Sequence, residues 1–373
     1  MSNTNNNADT DTKYVVRNKN TVDAFELKDI LDTILFKIPN PQVPYIHGAP
    51  GIGKSQMIAQ IAKERGIELI DIRLANCADS GDIRGLPTFN VDKNDDTKKR
   101  TIWSLPEMFP TDLNWKGIIF FDEFNLAQPS VMSACYQLIL DRQIGNYKLP
   151  DGAVMVAAGN PRDCNINAED LPQALKNRFK HYYLQEDVKP WIVWATKNNV
   201  NTDLITFLST VGTEFFMDTN RMNSGANEFG TPRTWAAVSD ILNLTNISLD
   251  LKLQIINGYV GNAAMVKLRK FLVDKTRYQD PREIYEEGKK FTATSINEFY
   301  GCFVSLCASL IRESRSRQEG IKAMTNTLKA LVVLPTREWK AFAAKMIANI
   351  PELDSLIDGP VASEMMITLA NGK

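Results

Sequence analysis

Apolar residues follow two rhythms along this chain. Between Thr21 and about Gln185, short apolar runs alternate with segments whose apolar residues recur every three or four positions. The runs Tyr45–His47, Leu69–Leu74, Ile118–Asp122, Val154–Ala158 and His181–Leu184 predict strands. Phe25–Ile38, with Phe25, Ile30, Leu31, Ile34 and Leu35, predicts an amphipathic helix, as does Ser130–Leu140, with Val131, Ala134, Cys135, Leu138 and Ile139. Such alternation implies a parallel sheet covered by helices. Past Val188 the strand signal fades. Trp191–Thr196, Leu204–Ser209, Thr234–Leu242, Leu249–Val260, Ser295–Glu313, Ile321–Val333 and Trp339–Ile347 all read as helices.

These rhythms divide the chain into a polar tail over residues 1–20, an α/β domain over 21–188, a helical domain over 189–275 and a helical extension over 276–373. The last boundary falls where charge rises between Asp274 and Lys290. No internal repeat is visible. The length of 373 residues agrees, being too great for one small core. The Asn-rich start lacks the apolar centre of a signal peptide and reads as a disordered tail. No apolar run approaches the ~18 residues of a membrane span.

Charge narrows the partners. Forty-three basic residues offset 44 acidic ones, so a net charge of −1 gives no global attraction to nucleic acid or anionic membrane. The cysteines Cys77, Cys135, Cys164, Cys302 and Cys307 form no C-x-x-C pair, and His47 and His181 are the two histidines. Neither a zinc site nor a disulfide framework is expected. Reduced thiols in a cytoplasmic protein are, with Cys302 and Cys307 packed in a helix.

The chemistry begins at Gly48-Ala49-Pro50-Gly51-Ile52-Gly53-Lys54-Ser55. This matches the phosphate-binding pattern G-x-x-x-x-G-K-[S/T], after a short strand candidate and before a helical pattern with Met57, Ile58, Ile61 and Ala62. Glycines let backbone N–H groups wrap phosphate, and the helix adds the positive end of its dipole. Lys54 would meet the β- and γ-phosphates, and Ser55 would ligate Mg²⁺. ATP with Mg²⁺ is the expected ligand, with Gln56 closing the binding segment. Absence of an Asn-Lys-x-Asp motif disfavours GTP.

Gly117–Phe121 is an apolar run that stops at Asp122 and Glu123. A buried parallel strand would deliver both acids to the carboxyl end of the sheet, where ligands bind. Asp122 would hold Mg²⁺ and Glu123 polarise the attacking water. Val154–Ala158 ends in Gly159-Asn160-Pro161, so Asn160 either reaches toward the water or γ-phosphate or simply makes an Asn-Pro turn. Arg178 stands where a helix ends before the next strand. Arg233, in Thr231-Pro232-Arg233, opposes the dipole of the helix it starts, which an anion would compensate; an ordinary surface arginine is the alternative.

Taken in order, these residues resemble an AAA+ ATPase. Gly48–Ser55 is similar to Walker A, Ile118–Glu123 to Walker B, Asn160 to sensor 1, Arg178 to the arginine finger and Arg233 to sensor 2. Asp122-Glu123-Phe124-Asn125, Ala158-Gly159-Asn160-Pro161, Leu171-Pro172 leading to Asn177-Arg178-Phe179, and Asp82-Ile83-Arg84-Gly85 before Thr88–Pro110 resemble the MoxR family, in the helix-2-insert clade related to midasin and McrB. The resemblance covers roughly residues 25–260. Phe124 departs from the family's aliphatic residue, and Leu126 stands where an arginine often follows Asn125. The resemblance implies a P-loop AAA+ module with a five-stranded parallel sheet between helices, then a helical lid and helical extension. It implies ATP hydrolysis by a homo-oligomeric, commonly hexameric ring that remodels a protein client, often with a von Willebrand factor A domain partner. Arg178 would then act on the neighbouring subunit.

Two other readings stay open: a nucleic-acid-linked motor of restriction or helicase-loader type, and a nucleotide-switched scaffold. Glu123 and Arg178 oppose the scaffold, which needs neither. Neutral charge opposes the nucleic-acid motor, since Lys98-Lys99-Arg100 and Arg312–Arg317 read as solvated faces. No aromatic–hydrophobic–Gly pore loop lies between Leu74 and Ser104, and Tyr259-Val260-Gly261 reads as a helix end. The insertion hairpin, with Phe89, Ile102 and Trp103, is the expected moving element.

Overall fold

The computed structural model describes residues 20–39, 42–92, 95–161, 168–274, 279–313 and 315–372. The tail expected over 1–20 and Cys164 therefore lie outside the described residues, apart from Asn20. So do the side chains of Phe89, Lys98, Lys99 and Arg100. The chain forms two compact units, Met1–Gln185 and Glu186–Lys373.

In the first unit, strands β1 (Thr21–Val22), β2 (Pro44–His47), β3 (Glu68–Arg73), β6 (Gly117–Asp122), β9 (Ala153–Gly159) and β10 (Lys180–Leu184) make one sheet, in the order β1-β10-β2-β9-β6-β3. Every pairing in it is parallel. The hairpin β4 (Leu86–Asp92) and β5 (Asp95–Ser104) pairs antiparallel, as do β7 (Gln143–Ile144) and β8 (Tyr147–Lys148). The five expected strands are present. The sixth, β1, is two residues long, too short for any periodicity to show it.

Alternate residues of each strand feed two cores. Ile118 and Phe120 join Ile46, Val156, Leu27, Leu31, Ile58 and Ile61 on one face. Ile119 and Phe121 join Tyr45, Met155, Val131, Leu138 and Phe179 on the other. Burial on both faces explains why these strands are apolar throughout.

Helix α1 (Ala24–Lys37) covers the first face. Its start is fixed by a capping box: Asp23 accepts from Phe25 and Glu26 N–H, and Glu26 accepts from Asp23 N–H. It buries Leu27, Leu31 and Leu35, a narrower stripe than the sequence reading. Helix α2 (Lys54–Arg65) lies on the same face and stops at Gly66, whose left-handed backbone donates to Ala62 and Lys63 carbonyls. The short α3 (Gly81–Arg84) precedes the β4–β5 hairpin. Helix α4 (Pro129–Asp141) covers the second face, and α5 (Gln173–Lys176) leads into β10.

The described part of the second unit is helical. Thr202–Val211 packs on Ile296–Arg312, which also meets Val188–Lys197. Arg312 fastens them: its guanidinium donates to the carbonyls of Val200 at 2.7 Å and of Ala195 and Thr196 at 3.4 Å, and to Thr202 Oγ1 at 3.1 Å. Residues before and after 275 thus share one unit. Cys302 and Cys307 are buried in Ile296–Arg312 as expected. Leu249–Val260 ends at Gly261 as read, while Asn262–Asp274 and Pro360–Ala370 are helices that the sequence reading missed. No described helix is long and apolar enough to cross a membrane.

Candidate nucleotide site

Three neighbouring strands, β2, β9 and β6, end side by side and carry most of the predicted site. After β2 the loop Gly48–Gly53 turns into α2. Gly51 (φ 78°) and Gly53 (φ 105°) take left-handed backbone that a side chain would strain. Lys54, the first residue of α2, is buried, with 7% exposure. A buried ammonium needs partners. Nζ donates to Gly48 O at 2.7 Å, Ala49 O at 3.1 Å and Asn160 Oδ1 at 2.9 Å.

Asn160 is buried beyond the end of β9, and its Oδ1 accepts from Lys54. Its own backbone is held by Asn125: Asn160 N–H donates to Asn125 Oδ1 at 3.0 Å, and Asn125 Nδ2 donates to Asn160 O at 2.8 Å. Gly159 must be glycine, because a Cβ there would overlap Tyr45 Oη and Asn125 Oδ1. Asn125 was noted in the sequence only as part of a motif; its holding role had no signal of its own.

At the end of β6, Asp122 is buried and accepts from Ser55 Oγ at 2.6 Å through Oδ2. Its Oδ1 accepts from Glu123 N–H at 2.8 Å. Glu123 is half-buried in left-handed backbone (φ 53°). That conformation costs a non-glycine residue roughly 1–2 kcal/mol. A hydroxyl and a carboxylate in contact are an all-oxygen donor set, which fits Mg²⁺. Among the described residues no cluster of His, Cys, Asp and Glu would hold a softer metal. Ser55 and Asp122 would hold the ion, which would supply charge neutralisation to phosphate, and Lys54 would bind and orient the same charge.

Burial raises the Tyr45 phenol, and Asp122 adds to it. Asp71 on β3 is also raised, first by burial and then by Asp122. His47, immediately before the loop, is lowered to about 3 by burial, His181 and Lys54.

Ala49, Pro50 and Ile52 fill the loop between its glycines, and Gln56 is exposed on α2. Arg178 is exposed two residues beyond α5 and is not among the groups gathered at the loop. The register shows why: Lys180 pairs with Pro44, so Arg178 lies beside the start of β2 whereas Lys54 follows its end. At about 3.3 Å per residue these positions stand roughly 15–20 Å apart. Arg233 belongs to the second unit. It is exposed in the first turn of Pro232–Asn243, a helix fixed by a Thr231–Thr234 capping box and by Trp235, whose Nε1 donates to Phe215 O at 2.8 Å.

Residues 44–186 match the family model described as "ATPase family associated with various cellular activities (AAA)". That segment is an AAA ATPase domain; its substrate is ATP with Mg²⁺ and its reaction ATP hydrolysis. Over 175 residues the chain is 27% identical to midasin of Giardia intestinalis, a match covering 44% of this chain and 3% of that protein's length. Among solved structures it is similar to the Thermotoga maritima RuvB Holliday junction branch migration motor (16% identity, 78% of this chain and 83% of that one, TM-score 0.35). A putative ATPase from Cytophaga hutchinsonii is similar at 14% identity, with 88% and 78% coverage and a TM-score of 0.34.

Proposed function

We propose that this chain is the subunit of a MoxR-type ATPase ring that remodels a protein complex in the cytoplasm, with a von Willebrand factor A domain protein as partner. The observation that carries the reading is two hydrogen-bonded groups brought to three neighbouring strand ends, Lys54 with Asn160 and Asn125, and Ser55 with Asp122. In it Lys54 and the loop bind the phosphates, Ser55 and Asp122 hold Mg²⁺, Glu123 takes the proton of the attacking water, and Asn160 orients that water. Arg178, set apart from its own loop and exposed, completes the pocket of the next subunit and stabilises charge developing on the γ-phosphate. Arg233 is the nucleotide sensor of the helical region, in which 189–275 serves as lid and 276–373 as extension.

The test uses two inactive variants. Arg178→Ala keeps a sound pocket but offers no arginine, and Glu123→Gln offers the arginine but cannot hydrolyse. Mixed in ATP, they are expected to form rings by native mass spectrometry and to recover part of the native ATPase rate. Rings that form without recovery at any ratio would make Arg178 a residue of its own subunit. Capture from lysate on ATP-loaded Glu123→Gln identifies the client; enrichment of nucleic acid in place of protein would overturn the protein-remodelling reading.

A further inference from the structure

The chain's two histidines, 134 residues apart, are hydrogen-bonded to each other. His47 Nε2 lies 2.8 Å from His181 Nδ1, and His181 Nε2 lies 2.8 Å from the carbonyl oxygen of Lys176. A carbonyl only accepts, so the proton on that side belongs to His181 Nε2. With both rings neutral, His181 Nδ1 then accepts and His47 Nε2 donates. The proton pattern is thus set from Lys176 back to His47.

The two ends of this relay are the ends of the proposed mechanism. His47 directly precedes Gly48, whose carbonyl is held by Lys54. Lys176 closes α5, two residues before Arg178. The relay runs along the sheet face between the end of β2 and the start of β10. Aromatic rings wall it in. Tyr183 stacks on His47 with centroids 4.3 Å apart. Tyr45 packs on His47 at 4.6 Å and on Phe179 at 5.0 Å, and Phe179 meets Phe124 edge-on at 5.3 Å. Phe179 follows Arg178, and Phe124 follows Glu123.

The ammonium of Lys54 has three N–H donors, and Gly48 O, Ala49 O and Asn160 Oδ1 each accept one. A phosphate oxygen can be bound by that ammonium only if one of them gives way. Two of the three belong to the first residues of the loop, next to His47. We infer that His47 and His181 are positioning residues that tie Arg178 to the phosphate loop of its own subunit, so that the arginine offered to the neighbour follows the state of that loop. The inference rests on the ring reading above.

His47→Phe keeps a ring for Tyr183 to stack on and removes the donor. His47→Gln loses the ring and keeps an amide N–H donor at the same reach. Coupling through the hydrogen bond predicts that His47→Phe lowers kcat by about 10- to 100-fold with KM within about twofold, as misplacing a catalytic group by ~1 Å does. His47→Gln should stay within about threefold of native, and His181→Phe, away from the loop, should behave like His47→Phe. A purely packing role predicts the reverse order at 47. Mixed rings then separate finger from pocket. His47→Phe with Glu123→Gln should recover activity, since a sound arginine meets a sound pocket. His47→Phe with Arg178→Ala should not. Recovery in that second mixture equal to that of Arg178→Ala with Glu123→Gln overturns the inference, as does loss of nucleotide binding in His47→Phe. No recovery in the Arg178→Ala and Glu123→Gln mixture instead overturns the ring reading, and the inference with it.

Discussion

Asn125 and Asn160 hold each other by two hydrogen bonds, one in each direction, at 2.8 and 3.0 Å. The exchange ties the turn after β6 to the end of β9 and leaves Asn160 Oδ1 to accept from Lys54. Both residues are buried, so neither bond can be replaced cheaply by water.

Asn125→Ala strands a buried N–H and a buried carbonyl of Asn160. The expected loss is about 2–6 kcal/mol from the first unit, at 1–3 kcal/mol for each unsatisfied group. Hydrogen exchange of the β9 amides reads it directly. Protection equal to native would show that Asn160 is held by something else.

Lys54→Ala removes the cation and all three of its donors. At about 2–3 kcal/mol for charge-assisted contacts to phosphate, ATP affinity should fall roughly 30- to 100-fold or more. Titration with a fluorescent ATP analogue measures it, and native affinity would remove the loop from the site.

His47 gives the fold a pH dependence. Its folded pKa, about 3, lies below the unfolded value near 6.5. The unfolded chain therefore binds the proton first as pH falls. Stability is whole above about pH 7 and drops between pH 6.5 and 3, at up to 1.36 kcal/mol per unit. Between pH 7 and 5 the loss is about 2 kcal/mol. Hydrogen exchange in peptides spanning β2 and β10, corrected for intrinsic rate, should show protection falling over that window in the native protein. His47→Gln should flatten it.

How much of this was legible depended on how local each signal was. The five-residue apolar run Gly117–Phe121 that stops at Asp122 shows a buried strand and where it ends. Gly261 marks the end of Leu249–Val260. By contrast β1 is too brief to have a period. Asn262–Asp274 follows Gly261 without a break and carries Lys267, Arg269 and Lys270, which blur its apolar stripe. The His47–His181 bond had no sequence signal at all, because only the pairing of β10 on β2 brings those rings together. The same pairing separates Arg178 from Lys54. The stripe of α1 was read too widely because Phe25, Ile30 and Ile34 are only half-buried beside Leu27, Leu31 and Leu35.

The second unit should depend on Arg312. Burial lowers its guanidinium pKa, and its Nε finds no partner among the described residues, yet it holds three carbonyls and a hydroxyl. Arg312→Ala leaves those carbonyls uncapped and opens a gap, for an expected loss of about 2–4 kcal/mol. Limited proteolysis within Val188–Val211 should accelerate accordingly; an unchanged cleavage rate would mean that helix packing alone joins these helices.

Glu123→Gln tests the centre of the account. The amide nearly matches the carboxylate in size, keeps the left-handed turn after Asp122, and cannot accept the proton of an attacking water. ATP binding and ATP turnover, measured on the same preparation, should separate: affinity within about threefold of native, and turnover lower by about 10²-fold or more, the scale of a lost general base. Hydrolysis at the native rate by this variant would contradict the assignment of Glu123 and, with it, the chemistry assigned to this site.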